Sequence, residues 1–283
     1  MKSAADALSR LERPEKDEAF ADKLFQPEID ALRSVAVTKG NQTEATDCWK
    51  AETIASIQRI FSETFDMLRA GTFYDAWCHL EQCEIALLGL QRHHVSDESD
   101  LHRIRYINQT VSQWQSLYPY KMFFSPEFLK RKVVCGICGS VVLPRNNCGH
   151  KKHNVYDGRL CIHRVEKAEL LSISLVRNPV QKYSVGFLTD DKGQKIDHYD
   201  YGNVRFVADR VVSPWHGWRA IDMTRAITAE EVAHVNPSAP CPCCSGEEFG
   251  KCCTGKKRLV VPHLQIVFHV APPPDFAELE LRC

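Results

Sequence analysis

The sequence predicts an α+β chain in three parts: an N-terminal helical bundle, a cysteine-rich centre joined to a small antiparallel β-sheet, and a second cysteine cluster near the C-terminus. Three observations carry this. Apolar residues recur at three- and four-residue steps up to Pro119, then alternate from Leu170 onward. Cysteine and histidine crowd into two short stretches, and 13 of the 283 residues are cysteine.

The helical part is read first. Ile54, Ile57, Phe61, Phe65 and Leu68 fall on one helix face, and Gly71 marks a stop. Thr72 with Asp75 has the spacing of a capping box for a second helix, which carries Trp77, Leu80, Leu87 and Leu90 inward. A third is expected to begin near Ser96-Asp97, to bury Leu101, Ile104, Val111, Trp114 and Leu117, and to stop before Pro119. Residues 1–40 are weakly periodic, broken by Pro14 and Pro27, and are read as helical. The aromatic stretch from Tyr118 to Pro126 is expected to pack the bundle onto the cysteine-rich centre.

The β part comes next. Leu171–Val176, Tyr183–Phe187 and Asn203–Val207 are predicted strands, with Asp190–Gly193 as a turn. Residues 228–233 are expected to form one helical turn. Leu259–Val270 is strand-like, ends at Pro272, and is expected to fold back onto the small sheet.

Composition excludes several classes. With 44% hydrophobic and 25% charged residues the chain is neither disordered nor collagen-like. No apolar run reaches the 18 or so residues that cross a bilayer, so no membrane role is expected. The opening Met1-Lys-Ser-Ala-Ala-Asp-Ala7 lacks the apolar stretch of a secretory signal, which predicts a cytoplasmic protein with reduced thiols. The formal net charge is zero, yet residues 1–129 hold 14 basic and 20 acidic side chains, and residues 130–283 hold 22 and 16. A basic stretch runs from Lys130, Arg131 and Lys132 through Lys151 and Lys152 to Arg164, a composition that attracts phosphate backbones.

The C-terminal cluster is the most specific signal. Cys241, Cys243, Cys252 and Cys253 have C-x-C-x8-C-C spacing, in which each short pair supplies two thiolates from a tight turn to one Zn²⁺. Cys241, Cys243, Ser245, Gly246, Phe249, Cys252 and Cys253 resemble the SEC-C motif, whose pattern is C-x-C-G-S-G-x-x-aromatic-x-x-C-C/H. The resemblance covers thirteen residues of 283. It implies zinc held by the two pairs, the aromatic packed as a minimal core, and a module that docks on a chaperone or ribosome. The sequence departs from the pattern at Cys244, which stands where the family has glycine. If that position needs positive φ, Cys244 is strained there, and it adds a fifth thiol that competes as a ligand. Lys251, Lys256, Lys257 and Arg258 form a basic rim. Gly250–Lys256 matches G-x4-G-K by spacing alone: Lys257 stands where a phosphate-binding loop needs Ser or Thr, and no buried strand precedes it.

The central cluster is over-supplied. Cys135, Cys138, Cys148 and His150 form the compact two-pair solution, while Cys161, His153 and His163 compete for the same four places. Its layout resembles a treble-clef or zinc-ribbon finger. Cysteine-rich sets of four protein ligands are structural, because a catalytic zinc keeps one position for water. The His-x-Glu element of nucleobase deaminases and the H-E-x-x-H of metalloproteases are missing. Of His79 and Cys83, four apart on one helix, Cys83 reads as core and His79 as a partly exposed polar residue, and His216 in the aromatic Trp215–Trp218 loop has no nucleophile beside it to serve as acid or base.

The expected organisation is thus a helical bundle over 1–129, a zinc finger with a small antiparallel sheet over 130–235, a SEC-C zinc knuckle over 236–258 and a strand-like tail over 259–283. The predicted function is a non-catalytic, zinc-binding interaction or adaptor protein with two structural Zn²⁺ sites. Its partner is expected to be a protein, a ribosome or a nucleic acid. The binding residues would be Lys130, Arg131, Lys132, Lys151, Lys152, Lys256, Lys257 and Arg258. Two other readings remain open. One is a metal-dependent enzyme using the surplus Cys161, His153 and His163. The other is a thiol redox or metal sensor in which Cys244 starts the exchange.

Overall fold

The computed structural model describes residues 1–94, 99–145 and 148–273. The expected helix start at Ser96-Asp97 and the terminal Cys283 lie outside them, but residues 99–103 are turn and coil, so the third helix begins only at Ile104 and leaves Leu101 outside it. The chain forms two compact units, Met1–Val204 and Arg205–Cys283. Its helices and two-stranded antiparallel sheets make it an α+β protein.

The first unit is built on helices α1 (Ala4–Arg10), α2 (Phe25–Thr38), α3 (Gln42–Ala70), α4 (Phe73–Leu90) and α5 (Ile104–Ser116). Pro27 sits in the first turn of α2, where its missing N–H costs no helical bond, so it begins this helix rather than breaking it. The Asn41 side chain accepts the Glu44 amide at 3.1 Å to start α3. Gly71, at φ +78°, ends it with backbone bonds from Gly71 to Leu68 and from Thr72 to Met67. The capping box expected at Thr72 does not form: its hydroxyl donates back to the Met67 carbonyl at 3.2 Å. For α5 the Asp100 carboxylate accepts the amides of Arg105 and Tyr106, each at 3.0 Å.

The aromatic stretch packs against the bundle. Trp77 of α4 lies against Tyr118, Tyr120 and Phe123 with ring centroids 4.9, 5.0 and 6.1 Å away. Beside it the buried Glu81 carboxylate accepts the amides of Lys182 and Tyr183 at 2.6 and 2.7 Å. Trp77 Nε1 donates to the Lys182 carbonyl at 2.7 Å. These bonds replace the ladder of the strand predicted over Tyr183–Phe187, where only Val185 bridges, to Phe123.

Strand β1 (Phe123–Cys135) runs unbroken through residues 129 and 130. Short strands β2 (Val155–Tyr156) and β3 (Arg159–Leu160) form a hairpin with Asp157 and Gly158 at its turn, both at positive φ. Strand β4 (His163–Val176) returns along β1 from Cys135↔His163 to Phe123↔Val176. Strands β5 (Leu188–Thr189) and β6 (Lys195–Ile196) flank the expected Asp190–Gly193 turn.

The strand predicted over Asn203–Val207 is instead helix α6 (Gly202–Arg210). Val204, Val207, Ala208 and Val211 are buried at three- and four-residue spacing, a helical stripe that a five-residue window shows as alternation. In the second unit β7 (Trp218–Thr228) pairs in unbroken register with β8 (Arg258–Phe268), from Trp218↔Phe268 to Thr228↔Arg258. The predicted tail strand is therefore present, and it pairs with β7. Between them lies the one-turn helix α7 (Phe249–Cys252). Both long ribbons thus open, at one end, onto a cysteine cluster.

Candidate metal centres

In the second unit the Sγ atoms of Cys241, Cys243, Cys252 and Cys253 all lie within 4.8 Å of one another. Cys243 is 3.3 Å from Cys241 and 3.5 Å from Cys252, and Cys252 is 3.6 Å from Cys253. A tetrahedral zinc with bonds of about 2.3 Å has sulfur–sulfur edges of roughly 3.8 Å, so four such thiolates fit the ion. The backbone arranges them in two steps. The Cys241 amide donates to the Glu247 carbonyl at 2.8 Å, closing the first pair into a loop. Helix α7 then places Cys252 and Cys253 opposite it. Cys241 and Cys253 are themselves core residues, packed with Phe249, Val232, Leu259 and Val261.

Polar groups stand close to the sulfurs. Lys256 Nζ donates to Cys253 Sγ at 3.5 Å, and Ser245 Oγ lies 3.2 Å from Cys252 Sγ. Hydrogen bonding from Ser245, with Cys241 next, draws the Cys243 thiol down to about 6. Burial pushes Cys241 up to about 12, so without a metal this thiol stays protonated.

Cys244 does not join the four. Its backbone has φ +58°, the left-handed region, and its exposed thiol points to the Pro242 carbonyl 3.8 Å away. That conformation favours glycine, so a side chain there is strained.

The central cluster brings Cys135, Cys138, Cys148 and His150 within 4.8 Å of one another. Cys135 ends β1, and Gly139, at φ +73°, turns the chain so that its amide reaches the Cys135 carbonyl at 2.9 Å. The Ile137 amide donates to Cys135 Sγ at 3.4 Å. Ser140 Oγ lies 3.3 Å from Cys138 Sγ. Backbone amides, that of Cys138 foremost, lower the Cys135 thiol to about 7. His150 Nδ1 is buried with no hydrogen-bond partner, and the ring stands edge-on to Tyr156 with centroids 4.7 Å apart. A buried ring nitrogen without a protein partner, beside three thiols, suits a metal ligand.

Of the surplus candidates, Cys161 comes nearest. Its Sγ is 3.9 Å from Cys135 Sγ, and burial pushes its thiol up to about 11. His153 and His163 lie outside the group of four. His153, at φ +70°, uses its backbone, donating to the Cys161 carbonyl and accepting His93 Nε2 at 2.7 Å. His163 sits opposite Cys135 in the ladder.

The module also packs on helices of its own unit. The Gln42 side chain accepts the Asp157 amide at 3.2 Å, and Leu160 reaches 3.6 Å from the place a Cβ on Gly89 would occupy. A Cβ on Gly158 would come within 2.6 Å of Arg33 Cδ and 2.8 Å of the Ala45 carbonyl.

The basic residues are exposed but partly neutralised. Arg131 pairs with Glu169 at 2.8 Å and Lys132 with Glu166 at 2.7 Å, across the ribbon. Lys130, Lys151, Lys152, Lys256, Lys257 and Arg258 are exposed. Cys83 is fully buried, donating to the Ile57 carbonyl, as a packing residue should be. The two serines beside the sulfurs are functional neighbours that the ligand spacing alone does not reveal. Their shared signal is Ser two residues after the second cysteine of each knuckle, Cys138-Gly-Ser140 and Cys243-Cys-Ser245.

Among the described residues no helix is long and apolar enough to cross a membrane. Comparison with family models, with curated proteins and with solved structures finds no match.

Proposed function

We propose that the protein is a non-catalytic interaction protein whose two cysteine clusters hold structural Zn²⁺ ions, with the C-terminal one a SEC-C knuckle. The observation that carries this reading is that each cluster offers four protein ligands. Four thiolates in one, and three thiolates with an imidazole in the other, close a tetrahedron and leave no place for a reacting water. The left-handed backbone at Cys244, where the SEC-C pattern has glycine, and the buried Phe249 support the knuckle assignment. Exposed lysines and arginines beside both centres favour an acidic partner surface, either a protein or the phosphates of RNA in a ribosome. Cysteines gathered into two metal-holding clusters suit a reducing, cytoplasmic setting.

Elemental analysis of purified protein tests the first half: about two zinc per chain is expected, and a folded, metal-free sample ends the reading. Affinity capture with and without chelator tests the second half. Partners should be lost with the metal, and RNA-dependent capture should weaken steeply with salt.

A second reading, a thiol redox sensor, is favoured by Cys161 beside Cys135 rather than by Cys244. Hydrogen peroxide would take two electrons from the Cys135–Cys161 pair, forming one disulfide and two waters and releasing zinc. Zinc retention under mild peroxide counts against it.

A further inference from the structure

The β1–β4 ribbon is amphipathic, and its apolar face is open. Cross-strand pairs put Phe124 with Leu175, Pro126 with Ile173, and Phe128 with Leu170 on one face, and Leu171 is the extra residue of the bulge between them. The other face carries Ser125 with Ser174 and Glu127 with Ser172, where the Ser172 hydroxyl donates to Glu127 at 3.0 Å. A sheet with this alternation normally turns its apolar side to a core. Here Phe124, Phe128, Leu170, Leu171, Ile173 and Leu175 are all exposed, the last two at 60% and 62%. Val180, 94% exposed, extends the patch, and Phe124, Pro126, Phe128 and Val180, with Ser125, Lys130 and Gln181, line a shallow groove of about 260 Å³.

We infer that this face is the interface of a homodimer, in which the ribbons of two copies stack face to face. Two arguments select a second copy as occupant. The first is area. These side chains expose roughly 800 Å² of apolar surface, beyond the 300–600 Å² or so of a monomer's largest patch and equal to the share each partner gives a standard stable interface. The second is chemistry. From Phe124 to Phe128 and from Leu170 to Leu175 the face carries no charge, and Lys130, two residues beyond Phe128, is a cation at its margin, so the centre of the face offers a charged partner nothing to pair with. Bulky side chains flanking a groove on the same patch satisfy the self-complementarity of a two-fold contact. Stacking two such ribbons makes a four-stranded, two-layer core with the Ser/Glu faces outward. The inference does not depend on either metal centre.

Sedimentation equilibrium of the full-length, zinc-loaded protein from about 1 to 100 μM should give twice the 32.2 kDa chain mass. The double substitution Ile173→Lys with Leu175→Glu should weaken association about a hundredfold or more while zinc content and far-ultraviolet circular dichroism stay unchanged. Val180→Lys, in a nearly free side chain, should weaken it in the same direction without touching the ladder. Ser172→Lys with Ser174→Lys, on the opposite face, should leave the dimer intact. A wild-type protein that sediments as one chain throughout the range overturns the inference, whether or not another protein binds the face. So does a dimer that survives the apolar-face substitutions.

Discussion

The two cysteine clusters sit at the ends of similar ribbons yet are supported differently. The C-terminal ligands are part of the core: Cys241 and Cys253 are buried with Phe249 and Leu259, so the sulfurs hold the local fold together. The central cluster also buries one member, Cys135, but it lies beside a bundle whose core is built from helix side chains such as Ile54, Ile57, Leu80 and Leu87. Its module adds contacts to α2, α3 and α4 through Gly158, Asp157 and Leu160. One centre is thus a keystone and the other a fitting on a standing wall.

Metal removal should separate them most strongly. Zinc contributes roughly 10 kcal/mol to small finger folds, so chelation should abolish amide protection across residues 229–257 while α3 and α4 stay protected. Hydrogen exchange read by mass spectrometry checks this, and a knuckle that keeps its protection without metal breaks the comparison.

A smaller effect is expected from Gly158→Ala. The added methyl meets Arg33 and the Ala45 carbonyl at a residue with φ +66°, which should cost about 2–3 kcal/mol and loosen the central module from the helices. Thermal unfolding at constant zinc measures it, and the C-terminal centre should keep its ion.

Acid should strip both centres. Hydrogen bonds lower Cys135 to about 7 and Cys243 to about 6 from the ordinary 9.0, whereas burial raises Cys241 to about 12, so the clusters mix easily ionised and costly thiols. Metal binding needs all the ligating thiols deprotonated, so zinc affinity should fall as pH falls. Zinc release followed with a chromogenic chelator during acid titration measures it, and a site whose release does not depend on pH is not held by thiolates.

The smallest effects come from the turn both knuckles share. Gly139 and Cys244 occupy the same left-handed position, one residue before the serine. Cys244→Gly should stabilise by about 1 kcal/mol and Gly139→Ala should destabilise by a similar amount, both at unchanged zinc content. A loss of zinc in Cys244→Gly would make the fifth thiol a ligand after all.

Much of the molecule is legible in its sequence, and the reasons differ by region. The helical stripe from Ile54 to Leu68 and the four gathered side chains of each candidate metal centre come from short-range spacing, which sequence displays directly. The ribbons are half visible. β8 and the later part of β4 alternate, whereas β1 mixes Pro126, a basic run and a bulge that blur its period, and β7 carries no clear signal. Asn203–Val207 reads as a strand because a helix buried on one side and a short strand share apolar positions over five residues. The ion pairs of Arg131 and Lys132 lie across the ladder, 38 and 34 positions away, so a count along the chain overstates the free positive charge. Of the serines at the sulfurs, Ser245 stands in the motif pattern, whereas Ser140 shows its place only once the folded turn brings its hydroxyl to Cys138.

Strands β7 and β8 meet in register at Thr228↔Arg258, so the chain re-enters the ribbon opposite the point where it left. The intervening stretch is a closed cassette. Replaced by a two-residue Asn-Gly reversal, it should leave a continuous hairpin, and grafted together with Ile227, Leu259 and Val261, the ribbon residues its core rests on, it should carry its ion along.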